Sequence, residues 1–362
     1  MSATDVVRYL LDRKLLTPRA VVHGRLRIDD VSRSNRVFVV TADGERCYVV
    51  KFAEASGDPG VAREAAVLER LRSLDAGGPL ASFLPTPVEY DEAVGVLIVE
   101  SAPHSRDLTR QHARGRFSRL LARQVGIALA LLHSVPPTAL QGLGLMRRPV
   151  DRAVIHRPDL EAMRGLSGAA VELTRMVQRS DELCAALDEL DRAPRVKSVI
   201  HGDVRWDNFL ALRGAGSNRW VGLRLIDWEL CGVGDPGFDI GAFFGEYLRV
   251  WLQSIPIAEP GNPALLLAHA RLPLRRMRPA LTSFWDAYVR QRGLSLAESN
   301  ATLRRSTRFA AVHLLTAALE EAQTLSDLSA SVFHLLPLSQ NILTRPREAA
   351  ELFGLGSSWA AG

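Results

Sequence analysis

The residues with the clearest chemical potential lie in two short stretches. The first is Val199-Ile200-His201-Gly202-Asp203-Val204-Arg205-Trp206-Asp207-Asn208-Phe209-Leu210, and the second, fifteen residues on, is Leu225-Ile226-Asp227-Trp228-Glu229. Asp203 and Asp227 each follow an apolar, strand-like run, so both are expected at loop positions on a supported scaffold. A hairpin between Asn208 and Asp227 would bring its two ends together and gather Asp203, Asn208 and Asp227 about one point. Three oxygen-bearing side chains there suit Mg²⁺, a hard cation that takes one or two carboxylates together with phosphate oxygens and water. A carboxylate left free of metal can accept a proton from a hydroxyl. These are parts of phosphoryl transfer, which also needs a cation on the phosphates that stay behind.

Lys51 fits that last role. It lies at the end of a strand-like run, Tyr48-Val49-Val50-Lys51-Phe52, in a chain whose only lysines are Lys14, Lys51 and Lys197. Where arginine is otherwise the rule, a lysine points to a need for a compact point charge rather than a planar fork. Glu64 shares an apolar helical face with Leu68 and Leu71. An acid on a buried stripe needs a partner, and Lys51 is the natural one. Taken singly, these residues have plain readings: loop or cap acids for Asp203 and Asp227, a solvated strand-end lysine for Lys51. His201 reads as a structural histidine bonded to loop backbone, and Asp207 as either a cap or a second acid near the metal. Trp206 and Trp228 read as packing. The joint spacing of Asp203, Asn208 and Asp227 is what favours chemistry.

Positioning such groups takes two kinds of element. Residues 5–16 read as a short amphipathic helix stopped by Pro18. Alternating, β-branched segments at 21–28 and 36–41 are followed by a hairpin signal, Asp43-Gly44, and a third strand over 46–52. A helix is expected over 62–74, then strands near 88–90 and 96–100, giving a compact β-β-β-α-β-β lobe. From Leu108 helices dominate. Phe117, Leu120, Leu121, Val125, Ala128, Leu131 and Leu132 trace a stripe of period 3.6, and further helices are expected over 171–177, 181–191 and from Asp239 to about Phe353. The one strand-rich interruption is 199–200, 209–212 and 220–226, with a turn at 214–218. The expected domains are residues 1–102, with the helix at 5–16 as an extension, and 103–353, with a loose tail at 354–362.

Composition sets the outer bounds. The chain has 362 residues, 47% hydrophobic and 23% charged, enough to bury a substantial core without metals or disulfides. A net charge of +5 and a pI near 9.4 raise the question of nucleic acid. The arginines are nevertheless dispersed among acids, as in Arg63-Glu64 and Glu69-Arg70, with no nucleic-acid-binding motif beside them. Cys47, Cys184 and Cys231 show no CxxC spacing, which fits a reducing, cytoplasmic setting. No secretory signal and no bilayer-spanning apolar run is apparent. GxxxxGK[ST], GxSxG and HExxH are all missing, which argues against P-loop, serine-hydrolase and zinc-protease chemistry.

His-Gly-Asp-x-x-x-x-Asn at 201–208, Ile-Asp-Trp-Glu at 226–229 and Gly-Asp-Pro-x-x-Asp-Ile at 234–240 together resemble the aminoglycoside phosphotransferase family. Lys51, Glu64 and the helix ending at His133-Ser134 are similar as well. The resemblance runs from about residue 21 to 245. It implies an α+β, bilobal, protein-kinase-like fold: a small five-stranded lobe with one main helix, and a larger helical lobe carrying a catalytic β-hairpin. It further implies ATP and Mg²⁺ as cofactors, Asp203 as catalytic aspartate, and Asn208 and Asp227 as metal ligands. Lys51 would bind phosphate with Glu64 as its ion-pair partner. Backbone groups of the linker at Glu100 and Ala102 would hold adenine, and Asp235 and Asp239 would brace the following helix. The loop at 30–36 departs from the pattern because it holds no glycine; Ser32, Ser34 and Asn35 are the residues left there to meet phosphates. A pseudokinase-like partner-binding module would be marked by loss of Asp203, Asn208 or Asp227, and all three are present.

Charge bears on the acceptor. From Leu248 onward there are twelve arginines against eight acids, in the region where the resemblance places the acceptor. Aminoglycosides are polycations and want carboxylates. Arg275-Arg276-x-Arg278 and Arg304-Arg305-x-x-Arg308 either face solvent or face the cleft; in the second case the acceptor is neutral or anionic. Candidates are Ser/Thr of a biosynthetic precursor peptide of the lanthipeptide or thioamitide kind, or a small metabolite, with an antibiotic phosphotransferase as the alternative. The helical lobe also has room for a partner protein.

Overall fold

The computed structural model describes residues 2–32, 36–42, 47–53, 59–102, 104–143, 154–193, 197–214, 216–217, 219–256, 270–325, 327–328 and 332–356. In chain order the first elements are α1 (Ala3–Asp12), α2 (Pro18–His23), β1 (Arg27–Asp30), β2 (Arg36–Thr41) and β3 (Tyr48–Phe52). Next come α3 (Gly60–Leu74), β4 (Pro87–Asp91), β5 (Val96–Glu100), β6 (Arg106–Asp107), α4 (Leu108–His112) and α5 (Arg119–His133). They are followed by α6 (Leu160–Arg164), α7 (Gly168–Gln178), α8 (Asp181–Arg192), β7 (Ser198–Ile200), β8 (Phe209–Arg213), β9 (Trp220–Leu225) and β10 (Gly232–Gly234). The last are α9 (Pro236–Gln253), α10 (Arg278–Arg292), α11 (Leu296–Gln323), α12 (Val332–Thr344) and α13 (Pro346–Leu352).

Two compact units emerge. The first comprises Met1–Leu108, Thr138–Met146 and Asn208–Cys231, so it includes the β8–β9 hairpin; the second comprises Thr109–Pro137, Arg147–Asp207 and Gly232–Gly362. In the first unit an antiparallel sheet runs in the order β1-β2-β3-β5-β4. Strand alternation sends Tyr48, Val50 and Phe52 of β3 into one core, shared with Val6 and Leu10 of α1 and with Phe38, Val40 and Ile98. The same alternation turns Lys51 to the other face of the sheet. Phe38 and Phe52 meet edge to face at 5.9 Å, a favoured aromatic geometry. Helix α3 buries Glu64, Val67, Leu68 and Leu71.

One expected element differs. Residues 21–28 were expected as a strand, but α2 occupies Pro18–His23 and β1 starts only at Arg27. The Thr17 hydroxyl accepts the Ala20 N–H at 3.1 Å, and Pro18 then stands at the first helical position, where its missing N–H costs nothing. A proline expected to stop one helix instead starts the next. The Asp43-Gly44 hairpin signal lies outside the described residues.

The second unit is helical around a two-stranded antiparallel pair, β7 with β10. Helices α9 and α11 approach closely because Gly241 has no side chain: a Cβ there would lie 2.5 Å from the Phe309 Cβ and 2.6 Å from the Ser306 carbonyl oxygen. Gly126 of α5 meets the Phe284 carbonyl of α10 in the same way. Phe243, Phe244, Phe284, Trp285 and Tyr288 fill the space between, with Phe243 stacked on Phe284 at 4.4 Å.

Candidate active site

In the first unit, Lys51 Nζ donates to both carboxylate oxygens of Glu64, at 2.9 and 2.7 Å, and to Asp227 Oδ1 at 3.0 Å. The side chains of Lys51 and Glu64 are 11% and 2% exposed, while that of Asp227 is 34% exposed. Burial opposes the ammonium charge, but the carboxylates of Glu64 and Asp227 outweigh it and hold the lysine pKa above its ordinary value. A buried, permanently charged cation thus has one wholly interior carboxylate and one that reaches solvent. Asp227 has φ of +70°, in the left-handed region that a non-glycine residue rarely adopts. Its position is over-determined by neighbours: Ile226 N–H donates to the Asn208 carbonyl at 2.9 Å, and Arg63 of α3 donates to the Glu229 carbonyl at 3.0 Å. The β8–β9 register, Phe209 opposite Leu225, therefore puts Asn208 and Asp227 at the same open end of the hairpin. Trp228 is fully buried, and its Nε1–H donates to the Leu225 carbonyl at 2.8 Å.

In the second unit, the loop after β7 is held from α9. Asp239, wholly buried, accepts the His201 N–H at 2.7 Å and the Gly202 N–H at 3.0 Å, and its Oδ2 lies 3.1 Å from His133 Nε2. His133 Nδ1 lies 3.0 Å from the Tyr288 hydroxyl. Seven residues along the same helix, and so on the same face, Glu246 accepts the Trp206 N–H at 3.2 Å. Burial opposes the Glu246 charge, yet His313 and Arg249 outweigh it and hold its carboxyl well below the usual range. Helix α9 thus grips the loop on both sides of Asp203 through two buried acidic side chains. Asp203, partly exposed, lies between the grips. The Asp203 N–H donates to His201 Nδ1 at 3.3 Å, which gives His201 the backbone role expected for it. Arg205 donates to Glu320 at 2.9 Å and to Asp207 at 3.4 Å. Burial disfavours its charge, but Asp207 and Asp203 outweigh that and strengthen it.

Lys51, Glu64, Asp227 and Asn208 belong to the first unit, and Asp203 belongs to the second, whose last residue before the hairpin is Asp207. Ser32 is occupied in its own turn: its hydroxyl oxygen accepts the Val37 N–H at 3.0 Å and its N–H donates to Asp30 at 3.0 Å. Ser34 and Asn35 lie outside the described residues. In the linker, the Glu100 and Ser101 N–H groups donate to the Thr86 and Cys47 carbonyls, and the Ala102 carbonyl accepts from Ser105. Asp235 caps α9 through the Gly237 N–H at 2.8 Å and pairs with Arg305. Asp239 serves the loop more than the helix it was expected to brace. Sequence reasoning missed Glu246 and Arg205. The signal for Glu246 was available, an acid two helical turns from Asp239 within an apolar run. Arg305 and Arg308, read as a basic cluster, are spent internally on Asp235, Glu189 and the Leu190 and Ala186 carbonyls. Arg275, Arg276, Arg278 and Arg304 are exposed.

Among the described residues, no group of three or more His, Cys, Asp and Glu side chains could hold a metal ion by itself. The donor set of Asn208 and Asp227 fits Mg²⁺ only as a site completed by phosphate and water, which is how that ion is ordinarily held in phosphoryl-transfer sites. No helix among the described residues is long and apolar enough to cross a membrane.

The model of the phosphotransferase enzyme family matches residues 26–281. No curated protein matches the sequence at significance. Solved structures do match in fold. A choline kinase from Cryptosporidium parvum Iowa II superposes with a TM-score of 0.58 at 15% identity, covering 98% of this chain and 99% of that one. A macrolide 2'-phosphotransferase from Brachybacterium faecium gives 0.51 at 18%, covering 94% and 98%. An ADP-bound aminoglycoside phosphotransferase gives 0.52 at 12%, covering 95% and 99%. The mixed α+β architecture, with its five-stranded sheet, is the kinase-like fold of these proteins.

Proposed function

Because the chain belongs to the phosphotransferase enzyme family, we propose that it moves the γ-phosphate of ATP to a hydroxyl of an acceptor that is not a polycation. The observation that carries this reading is the Lys51 ammonium bracketed by Glu64 and Asp227. In a kinase-like fold such a group meets the phosphates that remain on the leaving nucleotide. Asp203 orients the acceptor hydroxyl and takes its proton as the oxygen bonds to the γ-phosphorus. The bond from that phosphorus to the β–γ bridging oxygen breaks, and ADP leaves with the electron pair. Asn208 and Asp227 are the residues that would hold Mg²⁺, which when bound would neutralise charge on the phosphate oxygens. Asp239 and Glu246 keep the Asp203 loop in one conformation, so the base is placed before substrate arrives. The linker at Glu100 and Ala102 is the seat we assign to adenine, and the loop carrying Ser32, Ser34 and Asn35 the one beside the phosphates. ADP in one structural neighbour supports the nucleotide.

The neighbours' own acceptors, choline, macrolides and aminoglycosides, differ in size and charge, so the fold does not choose among them. Charge does. The excess of arginines over acids from Leu248 onward, twelve against eight, argues against a substrate bearing several ammonium groups, since placing like charges together costs several kcal/mol. A neutral or acidic acceptor follows: Ser/Thr of a biosynthetic precursor peptide or a small metabolite, in the cytoplasm, where ATP is available. The test is ATP consumption with product mass spectrometry against choline, kanamycin, erythromycin and acidic Ser-containing peptides. Phosphorylation of a neutral or acidic acceptor supports the reading. Efficient phosphorylation of kanamycin alone overturns the acceptor class, and failure to consume ATP with any acceptor, together with failure to bind it, overturns the activity.

A further inference from the structure

Most arginines of the helical unit that reach a carboxylate are committed to it: Arg205 to Glu320, Arg249 to Glu246, Arg305 to Asp235 and Arg308 to Glu189. One group is not. A groove of about 440 Å³ between α5 and α10 is lined by Arg119, Arg123, Arg278 and Arg290, together with Thr282, Ser283 and Asp286. Among the described residues none of these four guanidiniums meets a carboxylate. Arg278 Nε donates to the Leu352 carbonyl, and the other three are exposed at the surface. Four cations against one carboxylate leave the groove with three uncompensated positive charges.

The arrangement is regular. Arg278, Thr282, Asp286 and Arg290 recur every four residues on one face of α10, and Arg119 and Arg123 stand one turn apart on α5. The two helices touch at Gly126 against Phe284, so the groove lies where α5 continues beyond that crossing toward its N-terminus. It is also far from the catalytic loop along this helix. His133, which contacts Asp239, is at the opposite end of α5 from Arg119, fourteen residues or roughly 21 Å away.

We propose that this groove is a docking site for an acidic segment of another polypeptide. The α10 stripe from Arg278 to Arg290 spans roughly 18 Å, the length of five or six residues of extended chain. Arginines at its ends and on the α5 wall match carboxylates by charge and by bidentate geometry. The middle of the stripe is different in kind: the Asp286 carboxylate and the Thr282 hydroxyl require a donor, which a peptide offers as main-chain N–H or a serine hydroxyl. A polymer with a charge at every unit, such as a nucleic acid, would place an anion against Asp286. The groove therefore selects acidic ends and a neutral, hydrogen-bonding centre.

The full chain is tested by fluorescence anisotropy with a short fluorescein-labelled peptide bearing paired glutamates at both ends and Ser-Gly-Ser between them. A single-stranded oligonucleotide of equal net charge is the competing probe. The variant R119Q/R123Q/R290Q should weaken peptide binding about tenfold or more, while R271Q/R304Q/R347Q, an equal loss of charge at exposed positions elsewhere, should change it little. R119K/R123K/R290K, which keeps the charge, should retain part of the affinity and guards against loss of folding. D286N should improve oligonucleotide binding relative to peptide. Equal losses in the groove and control triple variants would overturn the site. Tighter, groove-dependent binding of the oligonucleotide would overturn the peptide class. Neither result bears on the phosphotransferase reading, because no probe requires ATP.

Discussion

Asp239→Asn tests whether the α9 carboxylates hold the Asp203 loop or merely fill a core. In the wild-type chain a wholly buried carboxylate accepts two loop N–H groups at 2.7 and 3.0 Å and contacts His133 Nε2 at 3.1 Å. Hydrogen bonds to a charged group contribute about 1.5–3 kcal/mol each. An asparagine of nearly the same volume keeps one acceptor oxygen but turns an NH₂ toward a second donor, so one such bond is lost and one polar group is left opposed. The expected cost is about 2–3 kcal/mol, or about 5–10 °C in Tm at the 2–4 °C per kcal/mol usual for a unit of this size. Leu315→Ala, at a wholly buried position of α11, is the comparison, since a core truncation costs about 2–5 kcal/mol without touching the loop. Thermal melts and turnover per folded molecule are measured for both. Asp239→Asn should lose turnover by about tenfold or more beyond its loss of stability, with the KM for ATP little changed, while Leu315→Ala keeps turnover once folded. Equal residual turnover in the two variants, or an Asp239→Asn Tm equal to wild type, would refute the bracing role.

Three other outcomes follow from the same geometry. Glu64→Gln removes the interior carboxylate from Lys51; with Asp227 still present, the loss in urea unfolding should be about 3 kcal/mol, the lower end for a broken buried pair, and nucleotide affinity should fall with it. An unchanged nucleotide Kd would count against Lys51 as the phosphate-binding cation. Glu246→Gln weakens the second grip on the loop, at Trp206 N–H, and should lower kcat more than it raises the KM for ATP; a change confined to KM would contradict a positioning role. His112, buried against Trp206 with ring centroids 4.5 Å apart, has its pKa pushed by burial from 6.5 down to about 4. Between those values the unfolded chain takes up a proton that the folded chain refuses, so stability falls as pH drops through that window, by up to about 3 kcal/mol. Urea unfolding of His112→Phe between pH 7 and pH 4 should show a shallower fall than wild type, and parallel curves would dismiss the effect.

The site was legible in the sequence where spacing is local. Val50-Lys51-Phe52 encodes its own alternation, so a lysine between two core residues must face the other side of the sheet, and Glu64 advertised itself as an acid on the apolar face of α3. Asn208 and Asp227 were readable because a hairpin of fixed register joins them. What was not readable depends on distant partners. Arg305 and Arg308 looked like a free basic cluster because Asp235 and Glu189, which neutralise them, are 70 and 119 residues away. For Glu246 the acid in an apolar run was visible, but the group it serves, the Trp206 N–H, lies 40 residues earlier. The error at 21–28 had a different cause: β-branched residues outweighed a Thr17-Pro18 start signal that capping chemistry makes decisive.

The most direct measurement compares Asp203→Asn with wild type in two assays on the same preparation, ATP binding by calorimetry and phosphoryl transfer to the best acceptor by mass spectrometry. Asparagine keeps the size and the hydrogen-bonding reach of the side chain but cannot take the acceptor proton, an effect that usually lowers rates by about 10²–10⁴. Nucleotide affinity unchanged within a few-fold, with transfer reduced by at least two orders of magnitude, is the result predicted for Asp203 as the base. Near-native transfer by Asp203→Asn would contradict it.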